Sequence, residues 1–374
     1  MQMIPVNEPL LNGNEKKYLC ECIDTGWISS EGPFVKDFEK KMSERIGRKY
    51  GIAVSNGTAA LEVAAQAIGL QEGDEVIMPT FTIISCAMAV TKLKAVPVLV
   101  DSDIHTWNMN VNEIEDKITN RTKAIMIVHL YGLPVDVDKI LDLAKKYHLK
   151  VIEDAAEMHG QTYKGKPCGS FGDISIFSFY PNKLVTTGEG GMVVTDDEDL
   201  AERCRSIRNL CFRRDMRYVH DEISDNYRMT NLQAAVGLAQ LERLDEFIKQ
   251  KREIGKYYNE KFGEVDGLIL PVEKTEYADN IYWVYGLVLD RNIQADNRTV
   301  QKMLLERGIG TRTFFWCMHE QPVYQNNGLF WSENYQNAEY LARKGFYIPS
   351  GLALTKTQMD EVVNRVIEVI KDLS

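Results

Sequence analysis

The chain has 374 residues, 44% of them apolar, which is enough for two packed units because a single core stops growing at roughly 250–300 residues. Its net charge of −10, with acids and bases interspersed, gives no basic surface for a phosphate backbone and argues against a nucleic-acid partner. No stretch approaches the roughly 18 apolar residues of a membrane span, and Pro5, Asn7, Glu8 and Pro9 interrupt the run that a signal peptide needs, so a cytoplasmic protein off the membrane is expected.

From about residue 50, short apolar runs alternate with helical stretches. The runs are 51–54, 75–79, 96–100, 124–129, 151–153, 174–178 and 191–195, and amphipathic segments such as 58–68 and 137–147 lie between several of them. This alternation predicts an α/β unit with a mostly parallel sheet covered on both faces, whose ligands collect beyond the carboxyl ends of the strands. A helix-rich, charged stretch over 231–260 reads as a connector, and a looser α+β region over 265–374 ends in an amphipathic helix over 357–373. The division expected is a large domain over 1–250 with an N-terminal arm, then a small C-terminal domain over 251–374. The seven cysteines are odd in number and scattered without zinc or redox spacing, so they read as reduced packing residues and no metal site is expected.

Three motifs carry chemistry. Lys183 follows the buried run 174–178 and precedes Gly188, Gly190 and Gly191, so it is placed to be desolvated, and burial lowers a lysine pKa toward the free amine that Schiff-base formation requires. Taken alone, it also reads as a surface lysine in a Gly-rich turn. Ser55-Asn56-Gly57-Thr58 opens onto an Ala-rich helix, whose first-turn amides and dipole suit an anion, although an ordinary N-cap gives the same pattern. Glu153-Asp154 ends an apolar strand, where a carboxylate can pair with a protonated ring nitrogen, and alternation along the strand favours Asp154 over Glu153 for that role. A helix N-cap is the plain alternative. Amine, phosphate site and carboxylate in one chain fit pyridoxal 5′-phosphate better than three unrelated features.

Gly-Thr on a helix, Glu-Asp-Ala-Ala at 153–156, and Ser-Phe…Asn-Lys…Thr-Thr-Gly-Glu-Gly-Gly at 178–191 occur in this order in the DegT/DnrJ/StrS family of pyridoxal-phosphate-dependent sugar aminotransferases, which the whole chain resembles. Further similar pieces are Gly26-Trp27-Ile28-Ser29-Ser30, Pro79-Thr80-Phe81-Thr82, Asn226-Tyr227-Arg228-Met229-Thr230-Asn231, and His319 followed by Pro322 and Tyr324. The resemblance implies the aspartate-aminotransferase-type fold (fold type I) and a homodimer with active sites shared between subunits. It implies that Lys183 carries the cofactor covalently and, once released, shuttles a proton, while Asp154 holds the pyridine nitrogen. Gly57, Thr58 and Ser178 would take the phosphate, Glu157 would lie beside the cofactor, and Asn226 would reach in from the partner subunit. Trp27, Ser29, Arg228 and His319 would meet the substrate.

Within the family the resemblance is to members that move an amino group from L-glutamate to C4 of a GDP-linked 4-keto-6-deoxy sugar, GDP-4-keto-6-deoxy-D-mannose. Another keto sugar, UDP- or dTDP-linked or without a nucleotide, is the nearest rival, and a non-catalytic regulatory protein on the same fold is a reading of a different class. Ile83 stands where many relatives place an aromatic ring. Arg213, Arg214 and Arg217 suit a diphosphate, and a solvated basic loop equally well. His319 and His159 each read either as site residues or as packed structural histidines.

Overall fold

Each of the seven apolar runs forms a strand, four at the expected bounds and three shifted by a residue or two. In the computed structural model, which describes residues 3–213 and 215–373, these are β1 (Tyr50–Val54), β2 (Glu75–Pro79), β3 (Val96–Val100), β4 (Thr122–Val128), β5 (Lys150–Asp154), β6 (Ile174–Ser178) and β7 (Gly191–Thr195). They make one sheet in the order β1-β7-β6-β5-β4-β2-β3. β6, β5, β4, β2 and β3 run parallel, and β7 alone is antiparallel to both of its neighbours. β2 and β7 are buried at every residue, as a sheet covered on both faces requires. Among the described residues no helix is long and apolar enough to cross a membrane.

The register brings the functional strand ends together. Val128 pairs with Asp154, Asp154 with Ile176, and Gly191 pairs with both Val54 and Ser178. The carboxyl ends of β1, β4, β5 and β6 therefore share one edge with the start of β7. Gly191 is small of necessity, since a Cβ there would run into the Asn56 carbonyl that leads into the next helix.

Beyond residue 230 the expected connector is two helices, Asn231–Leu241 and Leu244–Phe262. Nothing local in Leu241-Glu242-Arg243 breaks a helix. Tertiary contacts mark the break: Glu242 accepts from Tyr18 (2.6 Å) and Asn14 (2.7 Å), and Arg243 bonds Asn12. The second helix then spans two cores: Leu244 and Ile248 pack with the large sheet, whereas Ile254, Tyr258 and Phe262 join a second cluster with Leu287, Val366 and Ile4. That second cluster lies against a four-stranded antiparallel sheet ordered Leu268–Ile269, Tyr285–Leu289, Gly345–Ile348, Arg312–Thr313.

Behind the sheet edge sits a buried polar bracket. Glu153 accepts from Gly169 N (2.5 Å), Phe171 N (2.8 Å), Ser175 Oγ (2.9 Å) and the His129 ring (3.1 Å). Arg48 adds bonds to the carbonyls of Gly169 (3.1 Å) and Phe171 (2.7 Å). Glu153→Ala leaves these donors unpaired in a dry interior and is expected to lower stability by about 3–5 kcal/mol. Thermal and urea unfolding of the purified variant measure that loss.

Candidate active site

Lys183 lies on the turn after β6, closed by its own N–H donating to the Tyr180 carbonyl (2.9 Å). The turn is held from outside as well: Asn7 Nδ2 donates to the Pro181 carbonyl (3.2 Å) and Trp283 Nε1 to the Asn182 carbonyl (2.8 Å). Its Nζ stands 3.7 Å from the centroid of the Trp283 ring, and its side chain is 10% exposed. Burial pushes the Lys183 pKa below the usual lysine value, and the carboxylates of Glu157 and Asp154 oppose that shift.

Around this amine is a cavity of about 710 Å³, lined among others by Gly57, Thr58, Ile83, Asp154, Glu157 and Ser178. Asp154, at the end of β5, is buried, receiving Ala156 N (3.0 Å) on one oxygen and the Cys86 thiol (3.4 Å) on the other. Burial raises its pKa, while the Ala156 N–H, Lys183 and the thiol pull the other way. A desolvated carboxylate of this kind favours a cation beside it, which is what a protonated pyridine nitrogen supplies. Glu157 is also buried, one oxygen receiving Tyr131 N (2.5 Å) and the other 3.8 Å from Lys183 Nζ.

The helix Gly57–Ala67 points its N-terminus at the cavity, capped by Asn56, which accepts from Ala59 N (2.8 Å). First-turn amides of a helix have no partner within it and attract anions. Thr58 Oγ1 and Ser85 Oγ, 2.8 Å apart, bring two hydroxyls to the same place. A Cβ on Gly57 would stand 2.8 Å from Ser178 Cβ, so only glycine allows this close approach of helix and strand. Amides, hydroxyls, a buried carboxylate and a desolvated amine within one cavity fit the phosphate, the ring nitrogen and the aldehyde of pyridoxal 5′-phosphate.

The other expected residues lie elsewhere. His319 is buried with both ring nitrogens engaged, by Thr80 Oγ1 (2.8 Å) and Glu339 Oε1 (3.1 Å), which ties its segment to the end of β2, and it does not line the cavity around Lys183. His159 is a packed residue between Phe177 and Phe179, its pKa pushed down to about 3 by burial and by Lys183. Asn226 is exposed, accepting its bond from Arg228 N (3.2 Å), and it does not line the cavity around Lys183. Trp27 is half exposed and does not line that cavity either. Ser29 and Arg228 line a second cavity of about 720 Å³ with Arg205, Arg208, Arg213 and Arg217. Arg213 there is paired with Asp215 (3.3 Å) and Asp221 (3.8 Å), and Arg214 lies outside the described residues.

Residues not anticipated from sequence complete the wall: Ser85, His129, Tyr131, Asn182, Trp283 and Phe315. A hydroxyl at the start of the helix Ile84–Thr91 was a usable signal for Ser85. Trp283 gives none, because it arrives from a part of the chain about a hundred residues past Lys183.

The family model for the DegT/DnrJ/EryC1/StrS aminotransferases matches residues 9–367. A GDP-perosamine synthase of Escherichia coli O157:H7 is 44% identical, with 100% of each chain covered, and one from Caulobacter vibrioides is 42% identical over 98% of each. Among solved structures, the aminotransferase TlmJ from Streptoalloteichus hindustanus has a TM-score of 0.92 at 28% identity, covering 99% of this chain and 100% of its own. The fold is that of the pyridoxal-phosphate sugar aminotransferases, and the cavity has the groups this cofactor needs. The chain belongs to the DegT/DnrJ/EryC1/StrS aminotransferase family and is a pyridoxal-phosphate-dependent sugar aminotransferase.

Proposed function

We propose that this enzyme transfers the amino group of L-glutamate to C4 of GDP-4-keto-6-deoxy-D-mannose, giving GDP-perosamine and 2-oxoglutarate. The observation that carries the amino-transfer chemistry is the desolvated Lys183 amine in a cavity that also holds Asp154 and the Gly57–Thr58 helix start. The choice of sugar is supported by the activity named for the two relatives matched along the full chain.

Pyridoxal phosphate, when bound here, supplies an electron sink for the bonds broken at the amine-bearing carbon. Lys183 would hold it, Asp154 would keep its ring nitrogen protonated, and Thr58, Ser178 and the first-turn amides would bind its phosphate. Freed from the cofactor, Lys183 Nζ would take the proton from the donor's amine-bearing carbon and deliver it on the cofactor side of the shared nitrogen, a task suited to an amine whose pKa burial has lowered. Trp283 closes one side of Nζ and limits the water that would otherwise compete for that proton. Residues 1–250 would form the cofactor-binding domain and 251–374 the small domain.

The enzyme would act as a homodimer. Asn226, Arg228, Ser29 and Trp27 do not line the cavity around their own Lys183, and this supports a role at the partner's site. A cytoplasmic location is supported by seven free cysteines, the state expected in a reducing compartment.

Three outcomes test this reading. Lys183→Ala protein given cofactor, glutamate and GDP-4-keto-6-deoxy-D-mannose should form amino sugar at a rate reduced by roughly 10²–10⁴-fold or more, followed by mass spectrometry. Asp154→Asn should fold and take up cofactor, with kcat lowered by about 10²–10³-fold in steady-state assays, as for loss of one preorganised electrostatic partner. Mixing inactive Lys183→Ala with inactive Asn226→Ala subunits should restore activity to about a quarter of wild type, since symmetry leaves one intact site in each mixed dimer and half the dimers are mixed. No recovery in subunit-exchanged samples counts against the shared site.

A further inference from the structure

Glu157 is closer to the lysine amine than its expected place beside the cofactor requires. Its Oε1 is 3.8 Å from Lys183 Nζ, and the two side chains are 7% and 10% exposed. Its other oxygen is fixed by the Tyr131 N–H, so the carboxyl is held in place toward the amine. Asp154 is differently engaged, with one oxygen taken by Ala156 N and the other by the Cys86 thiol. Besides Asp154, the titratable groups that act on Glu157 or Lys183 are the phenols of Tyr131 and Tyr347, the Cys86 thiol and the neutral His159, while Lys92, also on the cavity wall, is paired with Glu62 (2.5 Å).

We propose that Glu157 and Lys183 are a proton-sharing pair, in which Glu157 Oε1 takes up the proton that Lys183 Nζ must give up before it can act as an amine. This rests on Lys183 being the cofactor-bearing residue. One N–H bond breaks at Nζ and one O–H bond forms at Oε1; nothing is oxidised or reduced, and the proton stays in the cavity. Burial acts on the two members in opposite directions. It raises Glu157 to about 7, against the opposing pull of Lys183 and the Tyr131 N–H, and it lowers Lys183. The neutral pair is thereby brought near in free energy to the ion pair, and the two groups titrate as a unit. Glu157 is then a further catalytic residue, setting the pH range in which the lysine nitrogen is usable.

The experiment records the visible absorption of cofactor-loaded protein across pH for wild type, Glu157→Gln and Glu157→Asp. Glutamine keeps the length and an acceptor for Tyr131 N–H but holds no proton. Removing the carboxylate takes away the partner that favours a charged lysine nitrogen, so the midpoint of the spectral change should fall by about one unit or more, tenfold in the proton equilibrium. Aspartate, drawn back by one methylene, should fall between glutamine and wild type. A glutamine midpoint within a few tenths of wild type, in protein with unchanged circular dichroism, overturns the proposal. If the glutamine variant takes up no cofactor, the aspartate variant decides alone: an unshifted midpoint overturns it and a lowered one supports it. Lys183→Ala run alongside separates the two ideas, because a lysine-dependent band that survives this change sinks the assignment of Lys183 itself.

Discussion

Two adjacent carboxylates at the end of β5 point to opposite sides of the sheet, and the site depends on that division. Glu153 turns inward and gathers the amides of Gly169 and Phe171 and the Ser175 hydroxyl, which fixes where β6 begins. Asp154 turns toward the cavity. The alternation of a pleated strand does this without special geometry, and a slip of one residue would exchange the two roles. Since β6 leads through Ser178 to Lys183, the inward carboxylate sets the position of the lysine and the outward one the charge it meets.

The segment around Phe314 and Phe315 contributes a wall to the site. Phe314 and Phe315 stack on Tyr131 with ring centroids 4.4 and 5.6 Å apart, and the Phe315 N–H donates to the Tyr131 hydroxyl (3.2 Å). Tyr131 in turn presents its N–H to Glu157. Packed rings on one side and a desolvated carboxyl on the other give a low local dielectric, in which each nearby charge counts for more than it would in water. The shifts of Lys183, Asp154 and Glu157 all have burial as their largest cause.

Much of this was legible in the sequence, for physical reasons. Strands of a sheet covered on both faces are continuous apolar runs, so all seven could be found, and their ends or the turns after them held Lys183, Asp154 and Gly57. What local pattern missed was imposed from a distance. The break at Glu242 is marked by bonds from Tyr18 and Asn14, more than two hundred residues earlier. The two bonds of His319 were not legible because one of its partners, Thr80, lies far off in the sequence. The arginines of the second cavity come from three stretches of chain, and only those of 213–217 stood out together.

Trp283 joins the two halves of this account, lying over Lys183 Nζ while its indole N–H holds the Asn182 carbonyl. The chain has five tryptophans, and of these only Trp283 lines the cavity. An ammonium against an indole face interacts with it directly, and a neutral nitrogen does so far less. The emission of Trp283 is therefore expected to respond to the charge on Lys183 in the purified protein, which places a natural optical label at the working nitrogen.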